Sequence, residues 1–203
     1  IYQQEIFIED NSTELDFEKL TFFLDNNIIK LEKLLDTFVK SIVLIIDLKN
    51  FLPVELSIKN ENNGNILNSE SLSYVLNDAR DQCEKTLQHK KIIHMLIENY
   101  QIDNQNYSIL PEDLSCNTFS LDIRFICLSN DLVKNLEKSL KNYQIAIKQI
   151  ISAKYVEDFF NENTDLIKKS KKINEGCNPN EVRFYKNIKK NEGFFVKFFN
   201  FFK

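Results

Sequence analysis

Near the start of the chain, apolar residues follow two different periods, and each period predicts a different element. Over residues 16–38 they recur every three or four positions, which predicts one long amphipathic helix. The β-branched apolar run at residues 41–47 predicts a buried, central strand. A short apolar stretch at residues 2–9 predicts another strand ahead of the helix. Together these elements predict a β-α-β unit over residues 1–52.

The middle of the chain continues this alternation of strand and helix patterns. Apolar–polar alternation predicts strands at residues 51–59, 91–103, 118–129 and 145–151. Helical spacing predicts helices at residues 69–88, 130–141 and 153–160. Turn-forming residues predict turns at 60–65 and 104–106 and an irregular loop at 111–117. The predicted fold class is α/β, more narrowly α+β, with a strand-helix-strand-strand-helix-strand module at residues 53–160.

The apolar pattern stops at residues 161–192 and returns at residues 193–203. The first segment is basic and rich in turn-forming residues, so we expect a flexible, mostly disordered linker that cannot form a core. In the second segment, six phenylalanines lie on one arc when residues are placed about 100° apart: Phe194, Phe195, Phe198, Phe199, Phe201 and Phe202. Four lysines accompany them: Lys189, Lys190, Lys197 and Lys203.

This combination predicts an amphipathic helix at residues 193–203 that binds an anionic membrane. Aromatic side chains enter the boundary between headgroups and acyl chains, while each nearby lysine adds about 1 kcal/mol of attraction. Two alternatives stay open: a helix packed on the chain's own core, and a helix that fits a groove of a partner protein. No apolar run reaches the roughly 18 residues of a transmembrane helix, so the sequence predicts none.

Charge is divided unevenly along the chain. The net charge is −4, but residues 168–203 contain ten Lys or Arg and three acids, a net +7 that leaves −11 on the rest. An acidic body with a basic tail points to an anionic partner, either a membrane or a nucleic acid. The acidic body would repel a phosphate backbone, so we expect a membrane partner and no nucleic acid.

Glycine, histidine and cysteine usage limits the chemistry that the chain can perform. Gly64, Gly176 and Gly193 are too far apart for a phosphate-binding loop, so we expect no ATP and no other cofactor. His89 and His94 are the only histidines, and the four cysteines contain no CxxC pair, so we expect no metal site. The cysteines are expected to be reduced thiols, mostly buried.

The sequence predicts no catalytic residue. His94 lies in a predicted strand, so a packed histidine is favoured over a member of a Ser-His-Asp set. The neighbouring acids Glu112 and Asp113 are typical of a solvated loop rather than of an acid–base pair. We therefore expect a non-enzymatic protein.

Residues 69–103 and 109–156 resemble the 1C subdomain of the bacterial cell-division protein FtsA. The stretch IIHMLIENYQID takes the place of a family strand and matches it at five positions: His94, Glu98, Tyr100, Ile102 and Asp103. The following loop matches at Pro111, Leu114 and Ser115, and the next helix matches at Lys134, Asn135, Leu136 and Lys138. Residues 1–50 look like part of subdomain 1A, and the Phe-rich tail looks like the FtsA membrane-targeting helix.

The chain also departs from the FtsA pattern. It lacks both glycines of the family loop, and nothing in it resembles the phosphate loops of this actin-like ATPase or its subdomains 2A and 2B. The resemblance therefore does not imply ATP binding. FtsZ binding is not carried over either, because the family places it mainly on subdomain 2B.

The resemblance implies a peripheral adaptor on the cytoplasmic side of the bacterial inner membrane, at the division site. Its 1C-like module is implied to bind further copies of itself or division proteins such as FtsN. The residues implied in partner binding are Pro111, Glu112, Asp113, Leu114 and Ser115. An alternative is a PilM-like adaptor of pilus assembly, but those proteins generally lack an amphipathic anchor, so the tail favours FtsA.

Overall fold

A computed structural model describes residues 15–48, 51–67, 69–111, 113–160 and 164–183. Over these residues the chain is a mixed α+β fold with five helices and six strands, which confirms the predicted class. The helices are α1 (Phe17–Leu35), α2 (Ser69–Thr86), α3 (Asn130–Lys141), α4 (Ala153–Phe159) and α5 (Leu166–Glu175). The strands are β1 (Ser41–Ile46), β2 (Leu52–Glu61), β3 (Lys90–Ile102), β4 (Gln105–Tyr107), β5 (Thr118–Ser129) and β6 (Ala146–Ser152).

Helix α1 confirms the long helix predicted from apolar spacing. Asp16 caps its start, because the Asp16 Oδ1 accepts hydrogen bonds from the N–H groups of Glu18 and Lys19, each at 3.0 Å. Asp36 ends the helix in the left-handed region with φ of 52°. Phe38, the last residue of the predicted pattern, therefore lies beyond the helix.

Strand β1 pairs in parallel with β6 along its whole length. The pairing crosses the predicted boundary between residues 52 and 53. The side chains of β1 are exposed or half-buried, so the prediction of a buried, central strand is wrong for the described residues. Among those residues β1 has a neighbour on one edge alone, and α1 contributes a single buried residue, Leu24. The strand predicted at residues 2–9 lies outside the described ranges.

The other four strands form an antiparallel sheet in the order β2-β5-β3-β4. Strand β2 pairs with β5 along its whole length, while the pairing of β3 with β5 shifts register twice, beside His94 and beside Asn99. Three of these strands confirm the predictions at residues 51–59, 91–103 and 118–129. The first of these register shifts lies at His94, whose side chain bonds to Glu181 near the end of the described chain.

A tight hairpin replaces part of the turn predicted at residues 104–106. Strand β3 continues to Ile102 and β4 begins at Gln105, so two residues make the connection. These residues, Asp103 and Asn104, have φ of 43° and 68°. Positive φ at both positions is the type I′ geometry that suits tight hairpins, and Asp and Asn tolerate it better than most residues.

Helix α2 covers one face of this sheet and forms the main core with it. Its inner face supplies five buried residues: Leu72, Val75, Leu76, Ala79 and Cys83. Strand β5 supplies every second residue: Phe119, Leu121, Ile123, Phe125 and Cys127. The alternation in the sequence thus becomes an alternation between the face that α2 buries and the opposite face.

The opposite face of the sheet is covered at one end by a second core. Strand β6 and helices α4 and α5 contribute to it, and its buried residues are Leu96, Ile126, Ile151, Tyr155, Val156 and Ile173. Helix α3, helix α4 and strand β6 lie within one residue of their predicted bounds.

Residues 164–183, which we call the strap, correct the prediction of a disordered linker over residues 161–192. Two of its apolar side chains are buried in the body: Ile173 is 0% exposed and Val182 is 7% exposed. Val182 packs into the main core and Ile173 into the second core. Other elements form most of both cores, so the strap needs few apolar residues of its own. Residues 161–163 and 184–192 lie outside the described chain.

Helix α5 lies within the strap and has a signal at each end. The Asp165 Oδ1 accepts a hydrogen bond from the Ile167 N–H at 3.1 Å, which caps the start of the helix. Gly176 ends it with φ of 93°, a conformation that glycine adopts without steric cost. Both signals are readable in the sequence, although the prediction of disorder did not use them.

Candidate functional site

The predicted partner-binding loop is held against the turn that follows β2. The Leu67 N–H donates a hydrogen bond to the Leu114 carbonyl at 2.9 Å, and an isolated bridge joins Ile66 to Ser115. Ile66 is 52% exposed, so it adds an apolar side chain to the surface beside the loop. The loop is therefore a defined surface of the body.

Asp103 supports the same loop from the hairpin between β3 and β4. Its carboxylate accepts hydrogen bonds from the backbone N–H of Asn117, at 3.0 and 3.1 Å, and of Thr118, at 2.9 Å. These bonds satisfy backbone donors at the point where β5 begins. Asp103 is one of the positions that the resemblance to FtsA matches, and here it positions the loop.

The five residues predicted to bind a partner differ in exposure. Asp113 and Ser115 are exposed, whereas Pro111 and Leu114 are half-buried, and Leu114 packs against the main core. Glu112 lies outside the described residues. Asp113 also has a positive φ of 53°, so the chain turns sharply at the most exposed point of the loop. A partner would therefore meet Asp113 and Ser115 first.

The uncovered part of the sheet's second face is polar. The Ser57 hydroxyl donates to Asp122 Oδ1 at 2.6 Å, and the Asn99 amide donates to Asp122 Oδ2 at 3.0 Å. These two hydrogen bonds hold the pKa of the Asp122 carboxyl below its usual range. The three side chains come from three neighbouring strands, so they tie β2, β3 and β5 together on this face.

The strap attaches to the body by adding to the edge of β3. The Ile97 N–H donates to the Asn180 carbonyl and the Val182 N–H donates to the Met95 carbonyl, both at 2.9 Å. An antiparallel bridge joins Leu96 to Glu181 between these two bonds. This edge of β3 is the one that β4 occupies further along, so the strap extends the same side of the sheet.

A buried carboxylate, Glu181, is the polar centre of this attachment. Its Oε1 lies 2.7 Å from His94 Nδ1, and both side chains are almost fully buried. The His94 Nε2 accepts a hydrogen bond from the Ser152 N–H at 3.1 Å, so the ring proton lies on Nδ1 and is donated to Glu181. His94 thereby connects three elements: β3, the end of β6 and the strap.

The second oxygen of Glu181 has its own partners. Arg183 Nη2 lies 3.3 Å from Oε2, and the Tyr155 hydroxyl lies 3.5 Å from it. The Asn178 amide in turn donates to the Tyr155 oxygen at 2.8 Å. A buried carboxylate is tolerated when its charge is paired and its oxygens are hydrogen-bonded, and both conditions hold here.

Arg183 also closes the C-terminal end of helix α5. Its guanidinium donates to the Asn174 carbonyl at 2.8 Å and to the Ile173 carbonyl. Such bonds satisfy the carbonyl groups that a helix leaves unpaired at its last turn. Arg183, the last described residue, is therefore held at the end of α5 by its own side chain.

The arrangement around His94 favours attachment over catalysis. Both ring nitrogens already have protein partners, and Nε2, the atom that would activate a serine, accepts a backbone N–H. Burial and the nearby Glu181 carboxylate raise the pKa of the Tyr155 phenol. Burial raises the pKa of the Cys127 thiol to about 12, which makes it a poor nucleophile at neutral pH.

Sequence reasoning placed His94 in a packed strand, and the structure confirms its burial. It missed Glu181 and Arg183, because both lie in the segment taken for a linker. One signal was available: Val182 stands between two charged residues, which is a period-two pattern that suits a strand with one buried side chain.

The predicted membrane-binding residues, from Lys189 to Lys203, lie outside the described chain. A comparison with models of known protein families finds no match, and a comparison with curated proteins finds no similar sequence. None of the helices in the described ranges is long and apolar enough to cross a membrane. Within the same ranges, no group of three or more His, Cys, Asp or Glu side chains could hold a metal ion.

Proposed function

We propose that the protein is a non-enzymatic, FtsA-like adaptor that binds the cytoplasmic face of the bacterial inner membrane at the division site. The Phe-rich tail at residues 193–203 is its membrane contact. The α+β body recruits further copies of the chain or other division proteins, with FtsN-like proteins as the implied class. ATP, metal ions, FtsZ and nucleic acid have no assigned role in this proposal.

The attachment of the strap is the observation that carries the proposal. Arg183 is bonded to the end of α5, and the Phe-rich sequence begins ten residues later, at Gly193. A short connection between a folded body and an amphipathic sequence suits a tether, because it keeps the body close to the surface that the tail binds.

The resemblance to FtsA adds support from the body. The element order from β2 to β6, with α2 and α3 between strands, is the strand-helix-strand-strand-helix-strand order expected of a 1C-like module, apart from the short β4. The exposed residues of the loop, Asp113 and Ser115, then form the surface at which a partner would bind.

Vesicle co-sedimentation tests the membrane part of the proposal. The intact chain is expected to pellet with vesicles of phosphatidylglycerol and phosphatidylcholine, and less so at higher salt. A chain that ends at Glu192, or the intact chain with Phe198→Glu, is expected to stay in the supernatant. Phe22→Glu is the matched control, because Phe22 is an exposed phenylalanine of the body. Equal pelleting of Phe198→Glu and Phe22→Glu would overturn the proposed anchor.

Self-association on the vesicle tests the partner loop. Energy transfer between donor- and acceptor-labelled copies is expected to fall when Asp113 and Ser115 are both changed to Arg, while the amount of bound protein changes little. The control replaces Asp81 and Thr86, two exposed residues of α2, with Arg. Unchanged energy transfer in the loop variant would exclude the loop from the self-contact.

A further inference from the structure

Helix α5 has two faces of different chemistry. The inner face carries Ser170 and Ile173, which are buried against the body, with Lys169 beside them. The outer face carries one apolar residue, three lysines and one acid: Ile167, Lys168, Lys171, Lys172 and Glu175. The body that carries this helix is otherwise acidic, since the chain outside residues 168–203 has a net charge of −11.

The outer face combines positive charge with an exposed apolar side chain. Ile167 is 61% exposed and stands next to Lys168 and one turn before Lys171. Lys171 lies 3.9 Å from Glu175, and this one acid leaves the three lysines in excess on the outer face. A cationic face with an apolar side chain among its lysines is the surface chemistry that anionic lipid headgroups attract.

The position of this face relative to the tail is set by Arg183. Because its guanidinium binds the last carbonyls of α5, the chain leaves the described body at the C-terminal end of that helix. Residues 184–192 are the nine that connect this point to Gly193. The ten residue steps from Arg183 to Gly193 span at most about 36 Å when fully extended. A membrane that holds residues 193–203 is therefore always within this distance of the end of α5.

We propose that the outer face of α5 is a second membrane-binding surface, which contacts anionic headgroups through Lys168, Lys171 and Lys172 when the tail is inserted. The inference rests on the proposed membrane adaptor and adds an orientation to it, because two contacts fix which side of the body faces the bilayer. Two linked weak contacts bind together far more tightly than either alone, since the second binding step is intramolecular.

A charge-reversal variant of the full chain tests this surface. Lys168→Glu with Lys171→Glu changes the outer face and leaves Lys172 in place, because the Lys172 ammonium lies 5.4 Å from the centre of the Phe160 ring. The control is Lys134→Glu with Lys138→Glu on α3, two exposed lysines one turn apart, with the same change in net charge. Circular dichroism melts of both variants report whether the body keeps its fold.

Binding to phosphatidylglycerol–phosphatidylcholine vesicles at low salt is the measurement. The α5 variant is expected to bind at least about tenfold more weakly than the α3 control, with a weaker dependence on salt. Equal affinities of the two variants, with intact melts, would overturn the proposal. So would an α5 variant that loses binding to a single-stranded oligonucleotide but keeps its vesicle affinity, because the face would then belong to nucleic acid.

Phe198→Glu, alone and combined with the α5 variant, separates this inference from the proposed anchor. If Phe198→Glu releases the protein and the α5 variant matches its control, the anchor stands and the second surface is refuted. If Phe198→Glu has no effect but the α5 variant weakens binding, the second surface stands and the tail is not the anchor. If neither change weakens binding, both proposals fail.

Discussion

The four-stranded sheet and the strap are parts of one body, yet different contacts hold them. The sheet and α2 share a continuous core in which Phe125 and Leu121 are fully buried. The strap contributes two buried apolar residues, Ile173 and Val182. Its other attachments are its backbone hydrogen bonds to β3 and the side-chain bonds of Glu181 and Arg183. The sheet is stabilised mainly by buried apolar surface, and the strap mainly by a few specific hydrogen bonds.

This difference predicts that the two regions open separately. A region with many buried apolar contacts exchanges its amides only on global unfolding, whereas a region held by few contacts can open locally. For the strap, opening would release the end of the chain to which the tail is attached. Four substitutions test whether different contacts hold the sheet and the strap.

The largest effect is expected in the sheet. Phe125→Ala removes a fully buried ring and is expected to lower the free energy of unfolding by about 3–5 kcal/mol. Phe22→Ala is the control, because Phe22 is 66% exposed, and its cost is expected within about 0.5 kcal/mol. Urea denaturation followed by circular dichroism measures both. Similar costs for the two variants would show that the sheet does not dominate stability.

Glu181→Ala tests the strap. It leaves the His94 Nδ1–H and the Arg183 guanidinium without their buried acceptor, which is expected to weaken strap attachment by about 3 kcal/mol. Hydrogen exchange at the Ile97 and Val182 amides should accelerate, while exchange within β5 changes little.

The matched control for this change is Glu175→Ala in the same strap. Glu175 is exposed and has an ion pair with Lys171 at 3.9 Å, so its loss is expected to leave the exchange of Val182 unchanged. If Glu181→Ala accelerated hydrogen exchange in β5 as much as in the strap, the strap and the sheet would form one cooperative unit. Separate opening of the two regions would then be excluded.

Tyr100 lies where the two regions meet, since its hydroxyl donates to Asn180 Oδ1 at 3.4 Å. Burial raises the pKa of Tyr100 to about 12, above the value of about 10 for an unfolded tyrosine. The stability it contributes is fully present below the unfolded pKa and is lost as pH rises through about 12. Tyr100→Phe is expected to reduce this alkaline loss.

Denaturant melts at neutral and strongly alkaline pH measure the difference, with Tyr107→Phe as the control. The Tyr107 hydroxyl donates to Gln105 Oε1 at 2.8 Å, within the short strand β4 rather than to the strap. An identical alkaline loss in wild type and Tyr100→Phe would show that deprotonation of Tyr100 does not limit stability there.

The smallest effect is expected on the polar face of the sheet. The pKa of Asp122 is lowered by hydrogen bonds from Ser57 and Asn99, so its contribution is present above the unfolded pKa of about 3.9. That contribution is lost as pH falls through the lower pKa of the folded state. Ser57→Ala is expected to raise the pKa of Asp122 and reduce this acid dependence, by a fraction of 1 kcal/mol. An unchanged carboxyl titration by NMR would contradict this account.

Local patterns were sufficient for most of the body. Strand β5 and helix α3 begin and end at the predicted residues, because their apolar spacing and flanking turn residues both point to the same bounds. The candidate loop after β4 was also predicted as irregular. Its sequence does not show that Asp113 is exposed while Leu114 packs against the core, because that depends on how the loop sits on the sheet.

Two predictions failed for the same physical reason. Strand β1 was expected to be buried from its apolar run, and the strap was expected to be disordered from its polar composition. A residue is buried only when other segments pack over it, and those segments are distant in the sequence. Among the described residues β1 lacks a neighbour on one edge. The strap, in contrast, packs Ile173 and Val182 into cores formed mainly by the sheet and the other helices.

Sequence pattern alone predicted the helices and strands of residues 17–159 apart from β4, the alternation of buried and exposed residues along β5, and the separation of charge between body and tail. These follow from periods of two and 3.6 residues and from composition, which are local properties. Only the tertiary structure decided that Glu181 meets His94, 87 residues away, and that Arg183 closes α5. A buried carboxylate is stable only beside partners that pair and hydrogen-bond it, and the partners of Glu181 on β3 and α4 are specified by sequence far from the strap.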